Sequence, residues 1–179
     1  MNKAVLSFWE KFRFRCNINK IRKSIMEYLT NEGIENKLVK GSIQVTYEDY
    51  KYAVDFNLDK EYPCCNITFE IADEDYQSLE LSDKTFIADK VNTEEEHHSV
   101  VKCYNDSISV ETRFYFTDKK MLLTLFYTHF TDLKSTVEHM LDVTLDKLHE
   151  KEVKKPIGFT ISQSNIHSQE DRTTAQHAE

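Results

Sequence analysis

The sequence predicts a two-layer α+β protein in which one antiparallel five-stranded sheet is covered on one face by helices. Five short runs are alternating or largely apolar, as strands require. Segments with helical periodicity bracket them in the order helix, three strands, helix, two strands, helix. Each clear strand has only one apolar face, so helices should cover a single side of the sheet. An extra helix is expected at the N-terminus.

Apolar residues at helical spacing predict the first core helix: Ile18, Ile21, Ile25 and Leu29. Gly33 is expected to end this helix, because glycine readily takes the left-handed C-cap conformation. Three strands then follow at about 42–47, 50–58 and 65–71. Their inward residues alternate with polar ones, which predicts an antiparallel meander.

A second, short helix is expected to begin near Ser82 and to end before the polar stretch 92–98. Residues 100–104 and 108–116 flank a turn-forming triplet and predict a hairpin. A long amphipathic helix is predicted from about 118 to 149 by a stripe of apolar residues three or four apart: Leu122, Phe126, Phe130, Leu133, Val137, Leu141, Leu145 and Leu148.

Size and composition favour one folded domain. The chain has 179 residues, 40% of them hydrophobic and 30% charged, which is ordinary for a globular protein. We expect a basic amphipathic N-terminal helix at 1–16, the α+β domain at 17–150 and a flexible polar tail at 151–179. The formal net charge of −8 disfavours nucleic acid as a partner, since phosphate binding needs a basic patch.

Cysteine usage and hydropathy predict a cytoplasmic protein. The four cysteines include no C-x-x-C pair, and neighbouring Cys64 and Cys65 would point to opposite faces of a strand, so free thiols are expected. The sequence contains no signal-peptide pattern and no apolar run near the length of a membrane span.

Motifs for common chemistries are absent from the sequence. Three glycines cannot build a Walker loop or a G-x-G-x-x-G turn, and neither G-x-S-x-G nor H-E-x-x-H occurs. The run 94–98, with three glutamates and two histidines, is interpreted as a polar connector, so we predict no catalytic residue, metal or cofactor. A small-ligand or enzyme pocket between sheet and helices is the alternative, using Tyr104, Glu111, Arg113 or the histidines.

The N-terminal segment is the strongest candidate for an interaction surface. Residues 1–23 carry seven basic residues and one acidic residue, a charge of +6, which leaves −14 for the rest. The predicted apolar face of this helix consists of Val5, Phe8, Trp9 and Phe12. The predicted basic face consists of Lys11, Arg13 and Arg15. We favour packing on the domain or a dimer mate, near the acidic ridge of the last helix (Glu138, Asp142, Asp146 and Glu150). A membrane surface or a partner protein is the alternative.

The order of elements and several stretches resemble the YbjN family and its type III secretion chaperone-like fold. The resemblance covers roughly residues 17–149 and rests on these stretches: Glu32-Gly33-Ile34, Lys40-Gly41-Ser42-Ile43, Asp55, Asp59-Lys60-Glu61-Tyr62, Val91-Asn92 and Val100-Val101-Lys102-Cys103-Tyr104. It implies a small acidic bacterial protein of the cytoplasm that binds other proteins, commonly as a dimer, without cofactor or catalytic residues. The polar outer sheet face and the basic aromatic N-terminus depart from the secretion chaperones.

The sequence therefore favours a non-enzymatic protein-binding module, chaperone-like or regulatory. Two alternatives stay open: the ligand-binding or enzymatic pocket, and a peripheral membrane protein tethered by its N-terminal helix.

Overall fold

A computed structural model of the chain describes residues 12–14, 17–58, 62–94 and 98–153. Residues 12–14 are helical. The elements of this part follow in chain order: α1 (Ile18–Asn31), β1 (Glu35–Val39), β2 (Ser42–Tyr47), β3 (Tyr50–Asn57), β4 (Cys64–Ile71), α2 (Glu74–Ser78), α3 (Leu81–Glu94), β5 (Ser99–Cys103), β6 (Ile108–Tyr115) and α4 (Lys119–Val153).

The strands form one sheet in the order β1-β2-β3-β4-β6-β5, antiparallel throughout. The predicted α+β class with a single antiparallel sheet is confirmed. The predicted count of five strands is wrong, because β1 is a sixth. This strand begins with Glu35-Asn36-Lys37 and lies at the edge of the sheet, where little apolar surface is needed, so it lacks the alternation that marks the other strands.

Two tight hairpin turns join β1, β2 and β3. Lys40 and Gly41 have φ of 50° and 91°, and Glu48 and Asp49 have φ of 50° and 68°. Left-handed backbone at both central residues matches the twist of the flanking strands. Three of these four residues are not glycine, so strand pairing overrides their local preference for right-handed backbone.

The predicted helix order also misses α2, the short helix between β4 and α3. Asp73 caps it, accepting a hydrogen bond from the Tyr76 N–H at 2.7 Å. Tyr76 is 1% exposed, and its hydroxyl donates to the carbonyl of Tyr104 at 3.3 Å. One aromatic side chain therefore ties this single turn to the β5–β6 hairpin, and one turn is too short to show a helical period in the sequence.

The long helix α4 packs on β4, β5 and β6, and α1 and α3 pack against it. The first half of its predicted apolar stripe is buried, but Leu145 is 52% exposed while Met140 and Val143 are buried. Residues four apart advance about 40° around a helix of 3.6 residues per turn, so the stripe rotates away from the sheet. Other side chains then fill the interface near the end of α4.

Aromatic side chains fill the layer between sheet and helices. The Tyr52 and Phe130 ring centroids lie 5.1 Å apart, and Phe126 stacks on Phe130 at 5.7 Å. Phe69 and Phe114 are also buried. The other face of the sheet is mostly polar, as predicted, although Val100 and Tyr115 are also exposed on it. The exposed polar residues on this face are Gln44, Lys51, Asp55, Asn57, Glu70 and Arg113.

Candidate functional site

The two edges of the sheet differ in how their backbone groups are satisfied. At the β5 edge, the Asn92 side chain lies alongside Val101. The Asn92 amide donates to the Val101 carbonyl at 2.9 Å, and the Val101 N–H donates to the Asn92 side-chain oxygen at 2.8 Å. A side chain of α3 thus occupies the position that the backbone of another strand would take.

The β1 edge is open along the part of the chain that the structure describes. Val39 pairs with Ser42 across a two-residue turn, so these two residues exchange hydrogen bonds, as do Lys37 and Gln44. The alternate residues, Asn36 and Leu38, therefore direct their backbone N–H and C=O groups away from β2. These groups form a short template on which another extended strand can pair.

A groove of about 670 Å³ separates this edge from α1. Its floor and walls combine a few apolar residues with many polar ones, and the side chains lining it are Asn19, Arg22, Lys23, Met26, Glu27, Thr30, Asn31, Asn36 and Leu38. Leu38 is 49% exposed. The Asn36 side chain donates to Thr30 Oγ1 at 3.1 Å and to the Ile34 carbonyl at 3.0 Å, which fixes the spacing between helix and strand.

Arg22 closes one end of the groove against the β1–β2 turn. Its Nε is buried and has no hydrogen-bond partner within the described residues. A Cβ at Gly41 would lie 3.1 Å from Arg22 Nη2, and the φ of 91° there also disfavours any other residue. Glycine at position 41 therefore permits both the tight β1–β2 turn and the close approach of the Arg22 guanidinium.

A second polar cluster joins α4 to β5 and β6. His129 Nδ1 lies 2.8 Å from Thr112 Oγ1, and the Thr112 hydroxyl donates to the His98 carbonyl at 3.3 Å. The 2.8 Å contact fits either a protonated Nδ1 that donates to Thr112 or a Thr112 hydroxyl that donates to an unprotonated Nδ1. Phe114 stacks on the His129 ring at 4.7 Å, and the His98 ring centroid is 5.3 Å away.

Burial and the neighbouring His98 lower the pKa of His129 below its ordinary value of 6.5, and Asp132 opposes them. Asp132 accepts from the Ser99 hydroxyl at 2.7 Å and from the His98 backbone N–H at 3.2 Å. Thr112 is only 2% exposed, so its hydroxyl is not open to a substrate. This hydrogen-bond network orients the His129 imidazole and links α4 to β5 and β6.

The predicted N-terminal site residues lie mostly outside the described residues: Val5, Phe8, Trp9, Lys11 and Arg15. Arg13 is exposed, and Phe12 is 48% exposed. Phe14 packs on the domain, edge to face with Phe116 at 6.5 Å. The chain therefore enters the domain beside the start of α4.

The acidic ridge is exposed along α4, as predicted. Lys134 pairs with Glu138 at 3.7 Å and with Glu48 at 2.7 Å, and Lys147 pairs with Glu150 at 3.1 Å. The predicted docking of the N-terminal helix on this ridge involves residues that lie outside the described part of the chain.

The described residues of the predicted pocket do not converge. Glu111 pairs with Lys102 on the outer sheet face, where Arg113 Nε also donates to Asn66 at 2.6 Å. Tyr104 follows β5 and is 46% exposed. His129 lies on the helical side, so the sheet separates it from Glu111 and Arg113.

Within residues 12–14, 17–58, 62–94 and 98–153, no group of three or more His, Cys, Asp or Glu side chains is placed to hold a metal ion. Over the same ranges, none of the helices combines the length and the hydropathy needed to span a bilayer.

The apolar periodicity of the sequence does not predict the β1 edge. The available signal was Lys40-Gly41, two residues suited to a tight turn between extended segments.

Among known proteins, similarity to this chain is found in solved structures. No protein-family model matches the chain, and no curated protein matches it. An uncharacterized protein from Methanothermobacter thermautotrophicus is similar at 15% identity with a TM-score of 0.47, covering 73% of this chain and 98% of that chain. YbjN from E. coli, a suggested transcription regulator, is similar at 10% identity with a TM-score of 0.40, covering 72% and 92%.

The resemblance to YbjN that the sequence predicts is therefore confirmed as a distant structural relation. At 10% to 15% identity and TM-scores below 0.5, no function follows from either likeness.

Proposed function

We propose that the chain is a non-enzymatic protein-binding module, chaperone-like or regulatory, that takes an extended segment of a protein partner along β1. The observation that carries the proposal is the contrast between the sheet edges. Asn92 satisfies both backbone groups of Val101 at the β5 edge, whereas Asn36 and Leu38 present backbone groups that no described residue pairs, beside a groove. Main-chain hydrogen bonds would supply affinity, and the groove would select side chains of the added strand.

Two further observations support the proposal. The sheet-helix layer is filled by aromatic side chains, which leaves the margins of the fold for binding. Cys64, Cys65 and Cys103 are free thiols, which suits the reducing cytoplasm where we place the protein.

Site-specific photocrosslinking tests this function. A benzophenone amino acid is placed at position 38, on the open edge, and in a matched variant at position 51, on the exposed outer face of β3. After irradiation of a native lysate, we expect one recurring polypeptide adduct from position 38 and none from position 51. Equal labelling from the two positions, or no adduct from position 38, would contradict strand addition at β1.

The variants Leu38→Pro and Leu38→Ala distinguish the contribution of the β1 backbone to binding from that of the Leu38 side chain. Because position 38 is then substituted, the crosslinker is placed at position 23, on the wall of the groove. Proline removes the outward N–H at an edge position that tolerates it, whereas alanine retains the N–H. We expect the adduct to be lost with proline and weakened with alanine. Equal adduct yields would show that the backbone of β1 is not used.

A further inference from the structure

The guanidinium of Arg22 is a partly buried charge without a described counter-ion. Arg22 is half-buried and lines the groove beside β1, and its Nε is buried. No described residue forms a hydrogen bond or an ion pair with this guanidinium. A charge withdrawn from water without a partner costs free energy, so an anion that reaches the groove is stabilised by binding here.

The other charges of the groove leave this end positive. Lys23 Nζ lies 3.6 Å from Glu27 Oε1, so these two exposed side chains offset each other. Two of the lining residues are positive and one is negative, and Arg22 therefore accounts for their net charge of +1. Lys40, in the β1–β2 turn next to Gly41, is exposed and adds a second positive charge. Although the whole chain has a formal charge of −8, this end of the groove favours a negatively charged group.

Strand addition at β1 determines which residue of the added strand meets Arg22. The side chains of Asn36 and Leu38 line the groove, and their outward backbone groups are the ones an added strand would pair. Side chains directly opposite each other on neighbouring strands share a face, so the residue opposite Leu38 also points to the groove. The next side chain on that face lies two residues, about 7 Å, further toward the β1–β2 turn. At this turn the Arg22 guanidinium approaches Gly41.

We propose that the segment bound at β1 carries an Asp or Glu side chain two residues from an apolar residue opposite Leu38, and that Arg22 binds its carboxylate. The inference rests on the proposed function and names the chemistry of the partner at the same site. Nε is the buried nitrogen of Arg22, so the carboxylate binds the two terminal nitrogens end-on, through two parallel hydrogen bonds. Leu38 is 49% exposed, and an apolar residue opposite it covers this surface.

Selection from a displayed library of random decapeptides tests the preference, with the immobilised full-length chain as bait. Wild type should enrich peptides in which Asp or Glu stands two residues from an apolar residue. Arg22→Glu reverses the charge at the end of the groove, so it should enrich Lys or Arg at the same spacing.

Fluorescence anisotropy then compares an enriched peptide with the same peptide carrying Gln in place of the acidic residue. With the wild-type chain, this replacement should raise the Kd about tenfold, because it removes the charge-assisted pair. The comparison changes only the peptide, so it does not depend on how a variant folds. Arg22→Gln should bind both peptides equally. Lys23→Gln is the matched control, because it makes the same charge change in the same groove, and it should retain the tenfold difference.

The results separate failure of this inference from failure of the proposed function. Enriched peptides without an acidic preference, or equal Kd values for the two peptides on wild type, would overturn the acidic partner and leave strand addition standing. So would a Lys23→Gln variant that loses the difference as fully as Arg22→Gln, or peptides that bind Leu38→Pro as tightly as wild type. A wild type that enriches no peptide overturns this inference, and the photocrosslink from position 38 then decides whether strand addition itself stands.

Discussion

Asn92→Ala should destabilise the protein by removing both contacts that cover the β5 edge. Each hydrogen bond between Asn92 and Val101 contributes about 0.5–1.5 kcal/mol net. Asn92 is itself exposed, so water partly replaces the lost partners, and alanine gains a few tenths of a kcal/mol in helix propensity. The expected loss is about 1–2 kcal/mol, or roughly 2–8 °C in Tm for a domain of this size.

Urea unfolding followed by circular dichroism measures this difference. Thr93→Ala is the matched control, because it makes a similar gain in helix propensity while Thr93 bonds only within α3, to the Asp89 and Lys90 carbonyls. Native-state hydrogen exchange should also show faster exchange of the Val101 amide in Asn92→Ala. If Asn92→Ala unfolds within about 0.3 kcal/mol of Thr93→Ala, the edge contacts carry no stability and the reasoning is refuted.

Two further perturbations concern titratable side chains, the half-buried His129 and the buried Lys84. The pKa of His129 is lowered in the folded state, so the unfolded chain binds the proton more readily, and the free energy of unfolding should fall as pH drops below about 6.5. Unfolding curves of wild type and His129→Gln between pH 7.5 and 5 test this, and parallel pH dependences would contradict it. Lys84 is 4% exposed, donates to the Asn105 carbonyl at 2.5 Å and the Gln77 carbonyl at 3.3 Å, and lies 4.9 Å from the Tyr76 ring centroid. Lys84→Met keeps the alkyl chain but leaves both carbonyls without this partner, so we expect a loss of about 1–2 kcal/mol in urea unfolding, and a variant as stable as wild type would exclude that role.

Periodic apolar patterns in the sequence determined most of the architecture. The alternation through Tyr52 and Val54 predicts which face of β3 is buried, and the stripe from Leu122 to Val137 predicts the buried side of α4. These features are local, because the side-chain direction in a strand or helix follows from residue spacing alone. The polar outer sheet face follows from the same patterns.

Only the tertiary structure determines which polar residues make contacts between elements and which strand lies at the open edge of the sheet. β1 is a strand because β2 pairs with it, and its sequence carries no alternation that would show this. The Asn92 side chain in α3 bonds the backbone of Val101 in β5, 9 residues later in the sequence. Thr112 in β6 contacts His129 in α4. Such contacts depend on how helices lie across the sheet, a long-range property that no local period encodes. The open edge at Asn36 and Leu38 is defined by the same long-range packing, since an edge exists only once the order of strands is set.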